Sequence, residues 1–147
     1  MNRIQKELET IRKRNKGVLR PEDVVKFAKD KKTALHTQFE WSDTKAAKKY
    51  RLYQARQVIL QVKIIPHPEA GTVTRAYVSL KDDRTMPGGG YRAVVDVLTD
   101  ADRRAALMRE ALEELVVFRQ KYKTLSELEP VFAAIAQVAK KKRRKTG

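Results

Sequence analysis

The sequence predicts a mainly helical α+β protein, and three observations lead to this class. Six segments repeat their apolar residues every three to four positions, which is the period of an amphipathic α-helix. Residues 60–80 instead alternate apolar and polar residues around a turn rich in proline, which indicates a β-hairpin. A chain of 147 residues with 41% hydrophobic content is large enough for one domain with a true core.

The first region, residues 1–20, is predicted to be a short basic helix with its linker. Ile4, Leu8 and Ile11 lie at helical spacing within residues 1–16. Gly17 follows, and glycine readily takes the left-handed conformation that ends a helix.

The second region, residues 21–98, is predicted to begin with three helices, over residues 21–29, 33–40 and 43–61. Pro21 suits the first position of a helix, and Ser42 or Asp43 can cap the start of the third helix. Tyr50 and Tyr53 are assigned to the apolar stripe of that helix. Short helices joined by tight turns match the spacing of a helix-turn-helix unit. Four apolar residues are expected in its core, namely Phe27, Leu35, Phe39 and Trp41.

The hairpin follows the third helix directly. Val62 and Ile64 belong to its first strand, and residues 66–71 form its turn. The second strand, residues 72–80, places Arg75 and Tyr77 on the face away from its apolar residues, so both should face solvent or a partner. A hairpin after a basic helix is the layout of a winged helix, whose wing rests on the phosphate backbone. A small sheet that only covers the helices is the alternative.

Residues 81–90 are predicted to be a flexible loop, because they contain three consecutive glycines. The spacing of those glycines matches neither a P-loop nor a dinucleotide fingerprint, so a phosphate cradle is not expected. Asp82 and Asp83 are interpreted as caps of the loop, because no further carboxylates complete a metal site. Residues 91–98 fit a strand or a buried helix, and a helix is the preferred interpretation.

The third region, residues 99–139, is predicted to be an antiparallel helical hairpin. Its helices span residues 101–123, capped by Thr99 or Asp100, and a segment that begins at Ser126. Their apolar stripes are broader than two helices can bury between them, which favours a homodimer. The alternative is a monomer in which the hairpin folds back over the N-terminal helices. Residues 140–147 are expected to be a disordered basic tail.

Charge is distributed unevenly along the chain. The sequence has 33 Lys and Arg against 18 Asp and Glu, which gives a net charge of +15. The excess lies in residues 1–20, in residues 44–68 with six bases and no acid, and in residues 140–147 with six bases and no acid. A positive balance confined to three segments of an otherwise near-neutral chain favours an electrostatic footprint for nucleic acid.

The sequence predicts neither an enzyme nor a cofactor. The chain has two histidines, His36 and His67, and no motif that places a nucleophile beside a base. His36 is interpreted as a partly exposed helix residue. The absence of cysteine is compatible with a reducing cytoplasm, and no apolar run is long enough for a membrane span or a secretory signal. A cytoplasmic protein that does not insert in membranes is therefore expected.

Together these patterns predict a double-stranded DNA-binding protein that acts largely through phosphate contacts, in a regulatory or architectural role. Fourteen residues are predicted to contact the nucleic acid: Lys45, Lys48, Lys49, Arg51, Arg56, Lys63, Arg75, Tyr77, Lys140, Lys141, Lys142, Arg143, Arg144 and Lys145. An adaptor that binds a host or phage polypeptide through the C-terminal hairpin is one alternative. An RNA-binding protein is the other.

Several segments carry a resemblance to known proteins. They are LRPEDVVKFA at residues 19–28, Leu35-His36, FEW at 39–41, TKAAKKYRLYQAR at 44–56, RAYVSL at 75–80 and GGYRAVVDVL at 89–98. On these segments the chain resembles an uncharacterised family of small proteins encoded by bacteriophages and prophages. The resemblance implies a phage or prophage origin and assigns no activity to named residues. The chain departs from that pattern in its positive charge, notably at Lys48, Lys49 and the tail.

Overall fold

The computed structural model describes residues 1–42, 44–65 and 71–145, and only the backbone of residue 145. The described helices are α1 (Arg3–Arg14), α2 (Pro21–Ala28), α3 (Lys45–Gln61), α4 (Lys81–Thr85), α5 (Val94–Thr99), α6 (Ala101–Tyr122) and α7 (Glu129–Lys145). The described strands are β1 (Val18–Leu19), β2 (Lys63–Ile64), β3 (Thr74–Arg75), β4 (Tyr77–Val78) and β5 (Tyr91–Ala93). The predicted class, mainly helical α+β, is confirmed.

The chain divides into two compact units, Met1–Ala101 and a C-terminal unit that begins at Asp102. The core of the first unit is built from Leu8, Ile11, Leu19, Val24, Ala28, Leu35, Phe39, Ala55, Val58, Ile59, Val62, Ala76, Tyr77 and Ala93. Phe27 and Trp41 pack against this core and remain partly exposed. Leu35 and Phe39 are buried as predicted.

Local capping explains where the first helices begin and end. Asn2 and Gln5 form a capping box at the start of α1, with each side chain accepting a hydrogen bond from the other residue's backbone amide, at 2.9 and 2.8 Å. Gly17, with φ of 87°, follows the helix in a left-handed conformation. Pro21 is the first residue of α2, where its missing N–H is not needed.

The helix expected over residues 33–40 is instead one 3-10 turn, Leu35–Gln38. α3 then begins after Thr44, whose hydroxyl accepts a hydrogen bond from the Ala47 amide at 3.1 Å. The assignment of this cap to Ser42 was therefore wrong, and Asp43 lies outside the described residues. α2 and α3 pack against each other.

The predicted hairpin is present, but its second strand is interrupted at Ala76. β2 and β3 pair antiparallel, with Lys63 opposite Arg75. β4 leaves this ribbon and joins a second antiparallel sheet in the order β1-β5-β4. Ala76 connects the two sheets, because its N–H donates to the Val62 carbonyl and its carbonyl accepts from the Val94 N–H, both at 2.8 Å. Residues 66–70 of the predicted turn lie outside the described residues.

Two other segments differ from prediction. Residues 81–85, expected to be loop, form the short helix α4, and Asp83 at its third position is buried in an ion pair with Arg92. Residues 91–98 combine both alternatives, since the strand β5 ends at Ala93 and α5 begins at the next residue.

In the C-terminal unit, α6 and α7 lie antiparallel. Phe118 and Phe132 meet edge to face at 6.4 Å between ring centroids, and Lys142 Nζ donates to the Ala105 carbonyl at 3.3 Å. A 3-10 turn, Ser126–Leu128, joins the two helices. α7 continues through residue 145, so the prediction of a disordered tail was wrong for residues 140–145, and residues 146 and 147 lie outside the described residues. None of the helices in the described part of the chain combines the length and apolar character of a membrane span.

Candidate nucleic-acid interface

The exposed side of α3 carries four of the predicted basic residues. Lys45, Lys48, Lys49 and Arg56 are all exposed. Lys45, Lys49 and Arg56 are separated by four and seven residues, a spacing that places them on one face of a helix. The helix contains no acidic residue. This face therefore presents positive charge with no carboxylate of its own helix to offset it.

Arg51 does not belong to this face, so its predicted role in phosphate contact was wrong. The residue is 6% exposed, and its Nη1 donates to the carbonyl oxygens of Glu40 and Ser42 at 3.0 and 2.8 Å. Its guanidinium carbon lies 5.5 Å from the centre of the Trp41 ring, in a cation–π contact. Arg51 thus fixes the chain segment that leads into α3.

Trp41 extends this structural cluster to His36. The two rings are stacked with centroids 4.9 Å apart, and Trp41 Nε1 donates to the His36 carbonyl at 3.0 Å. His36 Nδ1 lies 2.8 Å from the carbonyl oxygen of Ala28, an acceptor that requires the proton on Nδ1. His36 is half-buried and holds α2 to the following turn.

Truncation of Arg51 tests the structural role. Arg51→Met should lower the free energy of unfolding by about 2–3 kcal/mol, because it leaves two carbonyl groups without their charged donor. Arg56→Met, an exposed arginine on the same helix, serves as the control and should change stability by no more than about 0.5 kcal/mol. Urea denaturation followed by circular dichroism measures both, and equal losses would contradict the assignment.

The same helix exposes two aromatic rings that the prediction placed in its apolar stripe. Tyr50 and Tyr53 are 51% and 53% exposed, and their rings stack with centroids 6.0 Å apart. The buried residues of α3 are Ala47, Arg51, Ala55, Val58 and Ile59, so neither tyrosine belongs to its buried face. The sequence did not reveal this buried face, because it contains Arg51 and a pattern of apolar residues treats arginine as polar.

The β2–β3 ribbon places two further bases side by side. Lys63 and Arg75 are directly opposite each other in the antiparallel pair, and both are exposed. Like charges at such positions destabilise a strand pair. The ribbon begins one residue after α3, with Val62 between them, so Lys63 follows the bases of the helix closely along the chain.

Tyr77 is buried at 2% exposure, so the prediction that it lies exposed beside Arg75 was wrong. Its hydroxyl donates to Glu9 at 2.7 Å, and Glu9 also accepts from Arg12, which in turn pairs with Asp96 at 2.6 Å. Burial raises the pKa of Glu9, but the hydrogen bonds from Arg12 and Tyr77 outweigh it, so the pKa is below its ordinary value. Burial, together with the bond to Glu9, raises the pKa of Tyr77.

This network predicts a pH-dependent effect of Tyr77→Phe. The lowered pKa means that Glu9 stabilises the fold above its unfolded value of about 4.5, and that this contribution is lost as pH falls through the folded value. The variant should lose about 1–2 kcal/mol at pH 7, because a charged acceptor loses its donor. The deficit should shrink in acid as Glu9 is protonated. Denaturation at neutral and acidic pH tests this, with Tyr91→Phe as control, and a deficit independent of pH would contradict it.

The remaining predicted bases lie in the C-terminal unit. Lys140, Lys141, Arg143 and Arg144 are exposed on the last turns of α7. Lys142 is half-buried through its contact with Ala105, and the Lys145 side chain lies outside the described residues. These bases are thus ordered on a helix rather than on an extended arm.

The described side chains provide no centre for metal chemistry. Within residues 1–42, 44–65 and 71–145 no group of three or more His, Cys, Asp or Glu is close enough to hold an ion. Asp83, considered with Asp82 at the sequence level, is engaged with Arg92 at 2.7 Å. His67 lies outside the described residues.

Across its whole length, the chain matches no protein-family model, no curated protein and no solved structure.

Proposed function

We propose that the protein binds double-stranded DNA through the exposed face of α3 and the β2–β3 ribbon, mainly by phosphate contacts. In this proposal α2 and α3 act as a helix-turn-helix-like pair and the ribbon as the wing. The single observation that carries it is the acid-free series of exposed bases from Lys45 to Arg56, continued by the facing pair Lys63 and Arg75. We also propose a phage or prophage origin, on the resemblance of the segments described above.

Helix polarity supports an anionic partner for α3. The positive end of the helix dipole lies at its N-terminus, where acidic residues are favourable and basic residues are not. α3 has no acid in its first turn and carries Lys45, Lys48 and Lys49 in its first five positions. A phosphate backbone at this end would satisfy both the dipole and the lysines.

The proposal is tested by removing those lysines. In the triple variant Lys45→Gln, Lys48→Gln, Lys49→Gln, affinity for duplex DNA should fall for every sequence, because phosphate contacts carry no sequence information. The slope of log affinity against log salt concentration should flatten by about 0.9 for each phosphate that is no longer neutralised. Fluorescence polarisation at several salt concentrations measures the slope.

A matched control removes the same charge elsewhere. Lys29, Lys31 and Lys32 lie in the turn after α2 and are also exposed, so their triple replacement by Gln lowers the net charge equally. If both triple variants flatten the slope equally, net charge and not α3 drives the binding. Arg51→Met should leave the slope of log affinity against log salt concentration unchanged, whereas Arg56→Met should flatten it by about 0.9. Competition between DNA and RNA duplexes decides the type of nucleic acid.

The C-terminal unit supports a second proposal, a homodimer formed through α6 and α7. Only Phe132 and Ile135 are buried among the apolar residues described there, while many others are exposed. The exposed set comprises Met108, Leu115, Val116, Val117, Phe118, Leu125, Val131 and Val138. Exposed apolar residues in this number are typical of an association site. An adaptor for another polypeptide would use the same surface and would leave the protein monomeric alone.

A further inference from the structure

A polar cleft of about 400 Å³ lies in the N-terminal unit beside the glycine run at residues 88–90. Its walls include Arg56 of α3, Arg84 of α4, Ser79 and Tyr91. The volume falls in the range of sites for small ligands. The sequence predicted no phosphate site here, because the spacing of the glycines matches neither a P-loop nor a dinucleotide fingerprint.

The three glycines keep the wall of the cleft free of side chains. Gly88 and Gly89 have φ of 79° and 68°, in the left-handed region that favours glycine, and the Gly89 amide donates to the Met86 carbonyl at 2.9 Å. A side chain on Gly90 would place its Cβ 2.8 Å from Val18 Cγ1. The turn therefore packs against β1 while its main chain stays open to a ligand.

The charge of the lining favours an anion. Arg84 Nη1 donates to the Ser79 carbonyl, which ties the guanidinium to the rim of the cleft. No acidic residue is among those described that line the cleft. Glu22 lies beside Gly88 without lining the cleft, and Asp83 is engaged with Arg92. Two guanidinium groups and an open main chain are suited to the oxygens of a phosphate group.

We propose that this cleft binds a phosphate group, held by Arg56 and Arg84. The inference rests on the proposed function in one respect, since Arg56 also belongs to the exposed face of α3. The phosphate could then come from the backbone of the bound nucleic acid or from a free mononucleotide. Both sources present the same chemistry to the two arginines.

Calorimetric titration of the full chain tests the cleft without DNA. Inorganic phosphate and dAMP should bind, and deoxyadenosine, which lacks the phosphate, should not. Arg84→Gln should weaken dAMP binding about tenfold or more, because it removes a charge-assisted hydrogen bond to the phosphate. Lys31→Gln, an exposed base outside both the cleft and the proposed DNA interface, should bind dAMP as the wild type does. Arg56→Gln keeps the test valid if Arg84→Gln fails to fold.

Two results would overturn the proposal. One is a wild-type protein that binds neither phosphate nor dAMP at millimolar concentration. The other is equal weakening by Arg84→Gln, Arg56→Gln and Lys31→Gln, which would indicate attraction to net charge alone.

Duplex titration separates the two sources and also separates this proposal from the DNA-binding proposal. If dAMP competes with duplex DNA and Arg84→Gln weakens both ligands, the cleft receives a backbone phosphate. If dAMP binds without competing, the ligand is a free nucleotide. If dAMP binds while duplex DNA does not bind at all, the cleft is supported and the DNA-binding proposal fails.

Discussion

Replacing Arg92 with methionine is expected to lower the free energy of unfolding by about 3–5 kcal/mol. The Arg92 guanidinium approaches both carboxylate oxygens of Asp83, with Nη2 2.7 Å from Oδ1 and Nε 3.0 Å from Oδ2. The Asp83 side chain is 2% exposed, and its further hydrogen bond comes from the Leu80 amide at 3.3 Å. Without the guanidinium, the carboxylate stays buried with no opposite charge, which is the most destabilising way to break such a pair. Urea denaturation followed by circular dichroism measures the loss.

Two further variants make the result specific. Arg20→Met changes an exposed arginine and should alter stability by no more than about 0.5 kcal/mol. The double variant Asp83→Leu, Arg92→Met should be more stable than Arg92→Met alone, because removing both charges leaves none unpaired. A loss below about 1 kcal/mol in Arg92→Met would contradict the prediction. It would show that water or other groups solvate the Asp83 carboxylate when Arg92 is removed.

The second large effect concerns Leu115 on α6, and it rests on the proposed homodimer. Leu115→Asp should convert the dimer to monomers, because it places a charge in an interface from which water is excluded. A central interface residue contributes about 2 kcal/mol or more, so the dissociation constant should rise about thirtyfold or more. Sedimentation velocity over a concentration series measures the change. Leu115 is 38% exposed in the single chain, so the substitution is compatible with folding of the monomer.

Gln120→Asp provides the control for this substitution. Gln120 is an exposed polar residue on the same helix, and the variant introduces the same charge without removing an apolar contact. It should leave the dissociation constant nearly unchanged. If the wild-type protein sediments as a single chain at tens of micromolar, the dimer proposal is contradicted. The adaptor alternative then remains for this surface.

The helices were the most predictable part of the fold, because their signals are local. Pro21 at the start of α2, Gly17 after α1 and the broad stripe of α6 are each readable within a few residues. The helical continuation of α7 was missed because residues 140–145 contain no apolar residue that would anchor a helix. Lys and Arg are good helix formers, and neither glycine nor proline interrupts the chain between Val131 and Lys145.

The errors in the candidate site share a different cause, since they concern contacts between distant residues. Arg51 was counted with the phosphate-binding bases because its carbonyl partners, Glu40 and Ser42, cannot be recognised from spacing. Tyr77 was placed on an exposed face because alternation assumes an unbroken strand, whereas the strand is interrupted at Ala76. The cleft beside Gly88–Gly90 was missed because Arg56 precedes the glycines by about thirty residues.

The position of Ala76 between the two sheets has a consequence for the thermodynamics of the proposed DNA binding. Its hydrogen bonds to Val62 and Val94 fix the backbone next to Arg75 in the free protein. Backbone ordering is a large part of the entropy lost when a flexible segment folds upon its ligand. Because the backbone at Arg75 is already ordered, the entropy lost on binding would come mainly from the Arg75 side chain. The backbone of the ribbon would bind without refolding. Association there should proceed without the large negative heat-capacity change that accompanies coupled folding.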